Sequence, residues 1–431
     1  MKPLKKYQFE IFKKFNNQDA HPLANKWLTI LRQIPLIDQA ELTGELRRGE
    51  PSVEKIEMAA SSPNPMFAIS TLCELLDGRN LAYVPLDNRV IFHLESGIEI
   101  TIWIAETRQF GNMLHFTTGS QSHLDWFSEQ VFRHGFQYQN GNLNQNGHSL
   151  EFKNEVDLYG CVSLPLIPPE LREGLFENEF ISSPRRHKLI TREDIQADLH
   201  VHSDWSDGVD SLERMVQAAV SNGLSLIAFT DHSPYLLHSR YTDHSYLFDQ
   251  YKEIDQLNIK YDSQLKILKG VETDILEDGS LDLANDILEN MDIVIASMHT
   301  KFDLPKEKIT ARYIRAIEHP MVNIIGHPGG RLYPMSDYTD MDWEKIFQAA
   351  AFHQVALEIN SHKSHPYFDG QQVNLAAKNG VPITLNSDSH HTGMFENSIY
   401  GIFIARRAGL SKSQVINTWP IEDIQDWLRK K

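Results

Sequence analysis

Nine residues of metal-binding type punctuate the second half of this 431-residue chain, and nearly every one follows a short apolar run. They are His200 and His202 in ADLHVHSDWSDG, Asp207 in the same stretch, His232 in FTDHS, Glu272 in KGVETDI, His299 in ASMHT, His327 in IGHPGG, and Asp388 and His390 in NSDSHH. Imidazole nitrogens combined with carboxylate oxygens suit zinc, manganese or iron rather than calcium. The set is too large for a single ion and fits about two or three divalent ions sharing a carboxylate bridge, a role that falls naturally to Glu272 in the middle of the order. Such a cluster lowers the pKa of bound water, polarises a phosphoryl oxygen and clamps the attacking and leaving oxygens of an in-line displacement. Phosphoester hydrolysis is the reaction that needs all three services.

The elements that must position these residues are legible in the apolar pattern. Runs at 195–201, 225–230, 265–271, 291–297, 322–326, 354–359 and 382–386 read as buried parallel strands. Amphipathic segments such as SLERMVQAAVSNG, PKEKITARYIRAIEH and MDWEKIFQAAAFH lie between them. Ser211 and Asp342 are candidate N-caps, and Gly223 and Gly380 candidate helix stops. Seven strand–helix alternations predict a barrel one strand short of eight, with the ligands at the strand C-terminal ends where barrel active sites form. His200 and His202, two apart on a strand, share one face and leave Val201 for the other. A lone strand-end histidine is more often hydrogen-bonded structure than a ligand; here the weight comes from nine such residues gathered at one mouth. Asp204 and Asp231 read as supporting or capping groups, and His238, His244, His362 and His365 as non-ligands. His391 reads as a non-ligand that can face substrate.

Residues 1–180 are patterned differently. Helical periods at 23–33, 65–77 and 122–135 alternate with strand-like stretches at 81–84, 89–95 and 98–105, which predicts a smaller α+β domain. The polar stretch 181–194 reads as a linker, leaving 195–431 for the barrel.

Composition sets outer bounds. The chain is 41% hydrophobic and 23% charged, ordinary for a globular protein. No apolar stretch approaches the roughly 20 residues of a membrane span, and the N-terminus lacks a signal-peptide pattern, so the expected location is the cytoplasm with no membrane partner. Cys73 and Cys161 form no framework or zinc-type spacing and read as buried thiols. The net charge of −17 divides into −4 for residues 1–190 and −13 for the rest. A surface this acidic does not draw in a phosphate backbone by its long-range field, so any nucleic-acid role must rest on the site.

DLHVHSDWSDG, TDHS, GVETDI, SMH, GHPGGRL, EIN and SDSHHTG together resemble the PHP (polymerase and histidinol phosphatase) domain, a distorted seven-stranded barrel with a trinuclear metal site. The resemblance spans about residues 198–393. It implies that His200, His202, Glu272 and Asp388 hold one ion, that Glu272, His299 and His327 hold a second, and that Asp207, His232 and His390 hold a third. The motifs are most similar to the PHP domain attached to bacterial family X DNA polymerases, which implies Mn²⁺- or Zn²⁺-dependent 3′–5′ exonuclease activity or related 3′-end processing. Arg331 in GHPGGRL is a candidate contact for a substrate phosphate or one half of a salt bridge.

The first domain resembles the polymerase palm of the same family over about 25–175. AELTGELRRGEPSVEKIEM is similar to its metal-binding motif, FTTGSQSH to its nucleotide-sugar motif and VSLPLIPPELREG to the segment closing the palm. The family's aspartates are missing: its paired aspartates fall on Lys55 and Glu57, the third on Thr101, and its Gly-Ser on Gly44-Glu45. Two-metal nucleotidyl transfer needs carboxylates for both ions, so polymerase activity is expected to be lost. The family's N-terminal helix–hairpin–helix region is expected to be absent. Arg47 and Arg48 read as a solvated or remnant phosphate-binding pair. Three functions follow as alternatives: a phosphoesterase acting on DNA 3′ ends, a small-molecule phosphatase of the histidinol-phosphate kind, and a metal-stabilised regulatory protein without catalysis.

Overall fold

The computed structural model describes residues 14–182, 188–235, 245–330, 340–362 and 368–429. The chain divides into two units, Met1–Pro184 and Arg185–Lys431. Among the described residues no helix is long and apolar enough to cross a membrane.

The first unit is organised by KIEMAASS, whose Ile56, Met58 and Ala60 are buried in its main core. The small Ala59 on the other face lets a helix lie close, contributing to a separate cluster with Phe110 and Leu114. Its strands are β1 (Phe15–Asn16), β2 (Gln39–Thr43), β3 (Ser52–Val53), β4 (Lys55–Ser62), β5 (Tyr83–Leu86), β6 (Arg89–His93), β7 (Glu99–Glu106), β8 (Gln137–Gln139), β9 (Asn142–Gln145) and β10 (His148–Leu150). A five-stranded mixed sheet runs β2-β4-β7-β6-β5; β1 pairs with β3, and β8 to β10 form a small antiparallel meander. Two boundaries differ from the sequence pattern. The first helix is Asn17–Leu31, starting before residue 23, because Asn16 caps it by accepting a hydrogen bond from the Gln18 N–H. Its polar first turn carries no hydrophobic period. β5 starts at Tyr83 because the Leu81 N–H still closes the preceding helix onto the Leu76 carbonyl.

The second unit carries β11 (Ala197–Val201), β12 (Leu226–Phe229), β13 (Lys266–Asp274), β14 (Ile293–Ser297), β15 (Ile324–Ile325), β16 (Ala356–Asn360) and β17 (Ile383–Asn386). They form one sheet in sequential order, each neighbouring pair parallel. A bridge from Val201 to Ser389 brings the two edges together, giving a nearly closed seven-stranded barrel. Both strand faces are buried, which is why these strands read as continuous apolar runs. Val294 and Ala296 belong to the outer, helix-facing core, whereas Ile293 and Ile295 join Leu199, Leu226, Ala228 and Ile324 in an inner one. The same inner cluster takes Ile416, Ile424 and Trp427 from the C-terminal segment, which fills the apolar end.

The period-2 alternation breaks in β11. Ala197 and Leu199 are interior, yet Val201 lies in the helix-facing core, because the register with β12 shifts between Asp198 and Val201. This β-bulge turns His200 and His202 inward, a re-aiming that ordinary pleating would not give.

The seam between β17 and β11 is closed by side chains. Asn417 Oδ1 accepts from the Leu385 N–H at 2.7 Å, and its Nδ2 donates to the Ala197 carbonyl at 3.0 Å and to Asn386 Oδ1 at 2.8 Å. Asn386 Oδ1 in turn accepts from the Leu199 N–H at 3.0 Å. One amide thus mimics the ladder that an eighth strand would supply. Ser211 occupies an N-cap position but makes no capping bond, whereas Asp342 accepts from the Lys345 N–H. Replacing Asn417 by alanine strands a buried N–H and a buried carbonyl, so urea unfolding of the full chain should show a loss of about 3 kcal/mol with an unchanged m-value.

Candidate metal centre

The barrel interior changes from apolar to polar toward its mouth. Beyond Leu268, Ile295 and Ala356, the interior positions are taken by Glu272 and Asp274 on β13, Glu358 and Asn360 on β16, and Asn386 on β17, all buried. Glu272 lies at the centre, 1% exposed. Its Oε2 lies 3.4 Å from His200 Nε2, 3.5 Å from His202 Nε2 and 3.0 Å from His232 Nδ1. Its Oε1 lies 3.4 Å from His299 Nε2 and 2.9 Å from His327 Nε2. Asp388 Oδ1 is 3.1 Å from His202 Nε2 and 3.6 Å from His200 Nε2. Asp207, the most open member at 47% side-chain exposure, reaches His390 Nε2 at 3.3 Å and His232 Nε2 at 3.6 Å.

All nine sequence-predicted ligands therefore converge on one mouth. Three groups present ligand atoms within 4.8 Å of one another: His202, Asp207, His232 and His390; His200, His202 and Asp388; and His232, Glu272 and His299. The grouping differs in detail from the resemblance. His202 and His232 each serve two groups, and His327 enters through its contact with Glu272 alone. Arg331 lies outside the described residues, as do His238, His244 and His365.

Several carboxylates aim the rings. His200 Nδ1 donates to Glu358 Oε1 at 2.8 Å and His299 Nδ1 to Asp274 Oδ1 at 3.1 Å, while His390 Nδ1 lies 2.9 Å from the Asp388 carbonyl. Each of these contacts turns Nε2 into the mouth, the arrangement that prepares histidine for metal. Glu358 also accepts from the His327 N–H at 2.7 Å and from the side-chain amides of Asn360 and Asn386. Glu358 lies in the EIN motif, to which the resemblance gives no ligand role. Alternation in ALEIN, which sets Glu and Asn on one face of a buried strand, is the signal that marks it. Asp231 is a buried acceptor for Ser203, Ser206 and Gln250, a supporting group as expected. His391 is exposed, and its Nδ1 accepts from the Gly393 N–H in its own turn. His362, set aside as a non-ligand, has its ring 6.1 Å from that of His390.

Backbone strain marks two ligands: His327 (φ +26°) and Asp388 (φ +53°) hold the left-handed region without being glycine. Charge is equally concentrated. Burial works to raise the Glu272 pKa, but His232, His200 and His299 hold it well below the ordinary carboxylate range. Burial likewise opposes protonation of His299 and His390, yet Glu272 and Asp274 push the first, and Asp207 and Asp388 the second, up to about 9. Burial and the adjoining His390 push His202 down to about 4. His200 Nε2, His202 Nε2, His232 Nδ1 and Asp388 Oδ1 are buried without a hydrogen bond. Buried polar atoms need a partner, and four converging nitrogen and oxygen donors fit divalent cations.

The palm-like unit presents the opposite picture. Glu57 and Thr101 face each other across β4 and β7, and Lys55 Nζ is 2.9 Å from Glu57 Oε1. The Glu57 carboxylate occupies the space that a Cβ on Gly44 (φ +62°) would need, so a self-contained ion pair fills this corner. Arg47 donates to Thr118 Oγ1 and Glu155 Oε2, both at 2.7 Å; Arg48 donates to the Thr118 carbonyl at 2.9 Å and to Glu173 Oε1 at 2.7 Å. Rather than a solvated or phosphate-binding pair, they are internal cross-links. Glu155 also pairs with Arg172, which is fully buried. Among the described residues, the groups able to hold a metal lie in the barrel alone.

Barrel and site together define the class: the PHP domain model matches residues 198–362. The chain is 32% identical over 403 residues to the DNA polymerase/3′-5′ exonuclease PolX of Bacillus subtilis, covering 93% of this chain and 70% of that one. It is 34% identical over 248 residues to a probable phosphatase of Thermoanaerobacter sp. strain X514, covering 54% of this chain and 94% of that one. A probable phosphatase of Syntrophotalea carbinolica is 29% identical over 233 residues, 52% of this chain and 91% of that one. The chain belongs to the PolX family of PHP-domain hydrolases, with a smaller α+β unit preceding the barrel.

Two outcomes follow. Glu358→Gln keeps the side-chain volume but weakens the grip on His200 and His327, so chelator competition should reveal metal affinity reduced about ten- to hundred-fold. In the first unit, burial works to raise the Glu155 pKa, but Arg172 and Arg47 hold it far below its ordinary 4.5. Its contribution is thus complete above about pH 4.5 and is lost progressively as the pH falls further. Glu155→Gln should cost about 3–5 kcal/mol in urea unfolding near neutral pH, because Arg172 is left buried and unpaired. The gap to the parent should narrow below pH 4.5.

Proposed function

We propose that the barrel is a divalent-metal-dependent phosphoesterase that removes nucleotides from DNA 3′ ends, and that the palm-like unit no longer polymerises. The observation that carries the hydrolytic reading is the convergence of nine ligand-type residues with four orphaned buried donor atoms. His200, His202, Asp207, His232, Glu272, His299, His327, Asp388 and His390 would hold about two or three ions, with Glu272 bridging. Bound ions of this kind supply an activated water and neutralise charge on the phosphoryl oxygens. The chain's own residues do the rest. Glu358 and Asp274 fix the imidazole planes, the apolar layer beneath Glu272 excludes bulk water, and open Asp207 borders the side from which a phosphate enters. Mn²⁺, Zn²⁺ and Fe²⁺ all suit the donor set.

DNA is favoured as substrate because the similarity to PolX runs through both units, over 93% of the chain. A second reading, a phosphatase of small phosphate esters, is favoured by the probable phosphatases, whose matches take in about half of this chain. Loss of polymerisation rests on the Lys55–Glu57 pair and Thr101 at the positions the palm family gives to aspartates.

Mn²⁺-loaded protein should shorten a 5′-labelled oligonucleotide stepwise from its 3′ end, and His299→Ala/His327→Ala should reduce this to background. Turnover of histidinol phosphate or a 3′-phosphate alone would replace the exonuclease reading with a phosphatase one, and metal uptake without any turnover would remove both. In primer extension, the parent should incorporate no nucleotide above background; incorporation would return polymerase activity to the first unit.

A further inference from the structure

One helix, Lys306–Ile317, reaches three of the loops that carry the metal centre, through two adjacent buried side chains. Arg312 is 2% exposed, and among the described residues it forms no ion pair. Its guanidinium instead donates only to backbone carbonyls. Nε binds Leu276 at 2.9 Å and Nη2 binds Ile275 at 2.6 Å, in the loop that leaves β13 just after Glu272 and Asp274. Nη1 binds Thr300 and Lys301, both at 3.1 Å, in the loop that leaves β14 just after His299. Tyr313, 1% exposed, accepts at its hydroxyl from the Gly329 N–H at 3.1 Å, in the loop that leaves β15 with His327.

A buried arginine without a carboxylate is costly unless its donors are spent on well-placed acceptors. Four carbonyls from two loops meet that need, and the rigid planar fork fixes their spacing in a way a lysine cannot. The residues these loops follow are the ones that meet at Glu272 Oε1, where His299 Nε2 stands at 3.4 Å and His327 Nε2 at 2.9 Å. His202, Asp207, His390 and Asp388 sit on β11, β17 and their loops, which neither side chain touches. The helix therefore grips one part of the centre and leaves the rest alone.

We propose that Arg312 and Tyr313 are positioning residues that set the separation of Glu272, His299 and His327, and so control occupancy of one metal position independently of the others. This rests on the metal-dependent hydrolase reading given above.

The test is a Mn²⁺ titration of the full-length protein, with free ion counted by its electron paramagnetic resonance signal and thermal midpoints measured in parallel. Arg312→Met leaves four carbonyls unsatisfied and risks misfolding, so the informative variants are Tyr313→Phe and Arg312→Lys. The control is Tyr251→Phe, which removes another buried tyrosine bond, to the Gly270 carbonyl in mid-strand. In Tyr313→Phe and Arg312→Lys, one equivalent of Mn²⁺ should bind about ten- to hundred-fold more weakly while the remainder bind as in the parent. The spectrum of coupled ions should weaken in step, and excess Mn²⁺ should restore turnover. The control should keep every equivalent. Uniform weakening of all equivalents, or none in either variant, overturns the proposal. A parent chain that takes up no Mn²⁺ overturns both the proposal and the hydrolase reading beneath it, whereas variants with intact uptake overturn only the proposal.

Discussion

A carboxylate at 1% exposure above an apolar layer stays ionised only if positive charge is brought to it. Glu272 is that carboxylate, and much of the barrel's irregularity serves it. Five histidines from the ends of four strands come within 3.5 Å of its two oxygens. Around this packing of five rings the backbone is locally irregular. The ladder of β11 bulges, and the loops of His327 and Asp388 turn through the left-handed region. The histidines need orientation in their turn, which Glu358 and Asp274 provide. Because the neighbouring carboxylates favour the charged form of several of these imidazoles, a cation entering the mouth competes with protons, and binding and protonation are linked.

The two units meet the problem of buried charge in opposite ways. In the barrel, donors are left without hydrogen bonds and aimed at one space. In the palm-like unit the corresponding charges are paired internally: Lys55 with Glu57, Arg47 with Glu155, Arg48 with Glu173 and Arg172 with Glu155. The same chain therefore holds a site that demands a partner and one that has closed upon itself. Arg47 and Arg48, which look in sequence like a phosphate-binding pair, are the cross-links of the closed one.

How much of this was legible depended on whether a residue's surroundings left a periodic trace. The seven barrel strands were readable because both faces are buried, so they appear as largely apolar runs, six of them with a ligand at or just beyond the end. The nine residues themselves stood out as polar exceptions directly after those runs. Glu358 was harder to see, because a single acid inside ALEIN resembles noise until the interior face is known. The β11 bulge left no trace, since ADLHVH contains neither glycine nor proline to announce it. Arg312 gave no sign either: helical spacing places it on a buried face, but only the fold shows that four carbonyls wait there.

The bulge in β11 makes the length of one short strand a constraint on the site. Side chains in a regular strand alternate faces, so a change of one residue in register exchanges the two sets. With its one extra residue, β11 keeps Leu199 in the apolar interior and still delivers His200 and His202 to the mouth, which a strict ladder would not allow. A single-codon deletion between Asp198 and Val201 would leave composition, hydropathy and strand propensity almost unchanged. It would nevertheless regularise the ladder at the cost of either Leu199 from the apolar interior or His200 from the mouth, since a regular strand has one inward position where the bulge has two. For this barrel, counting residues in one strand matters as much as choosing them.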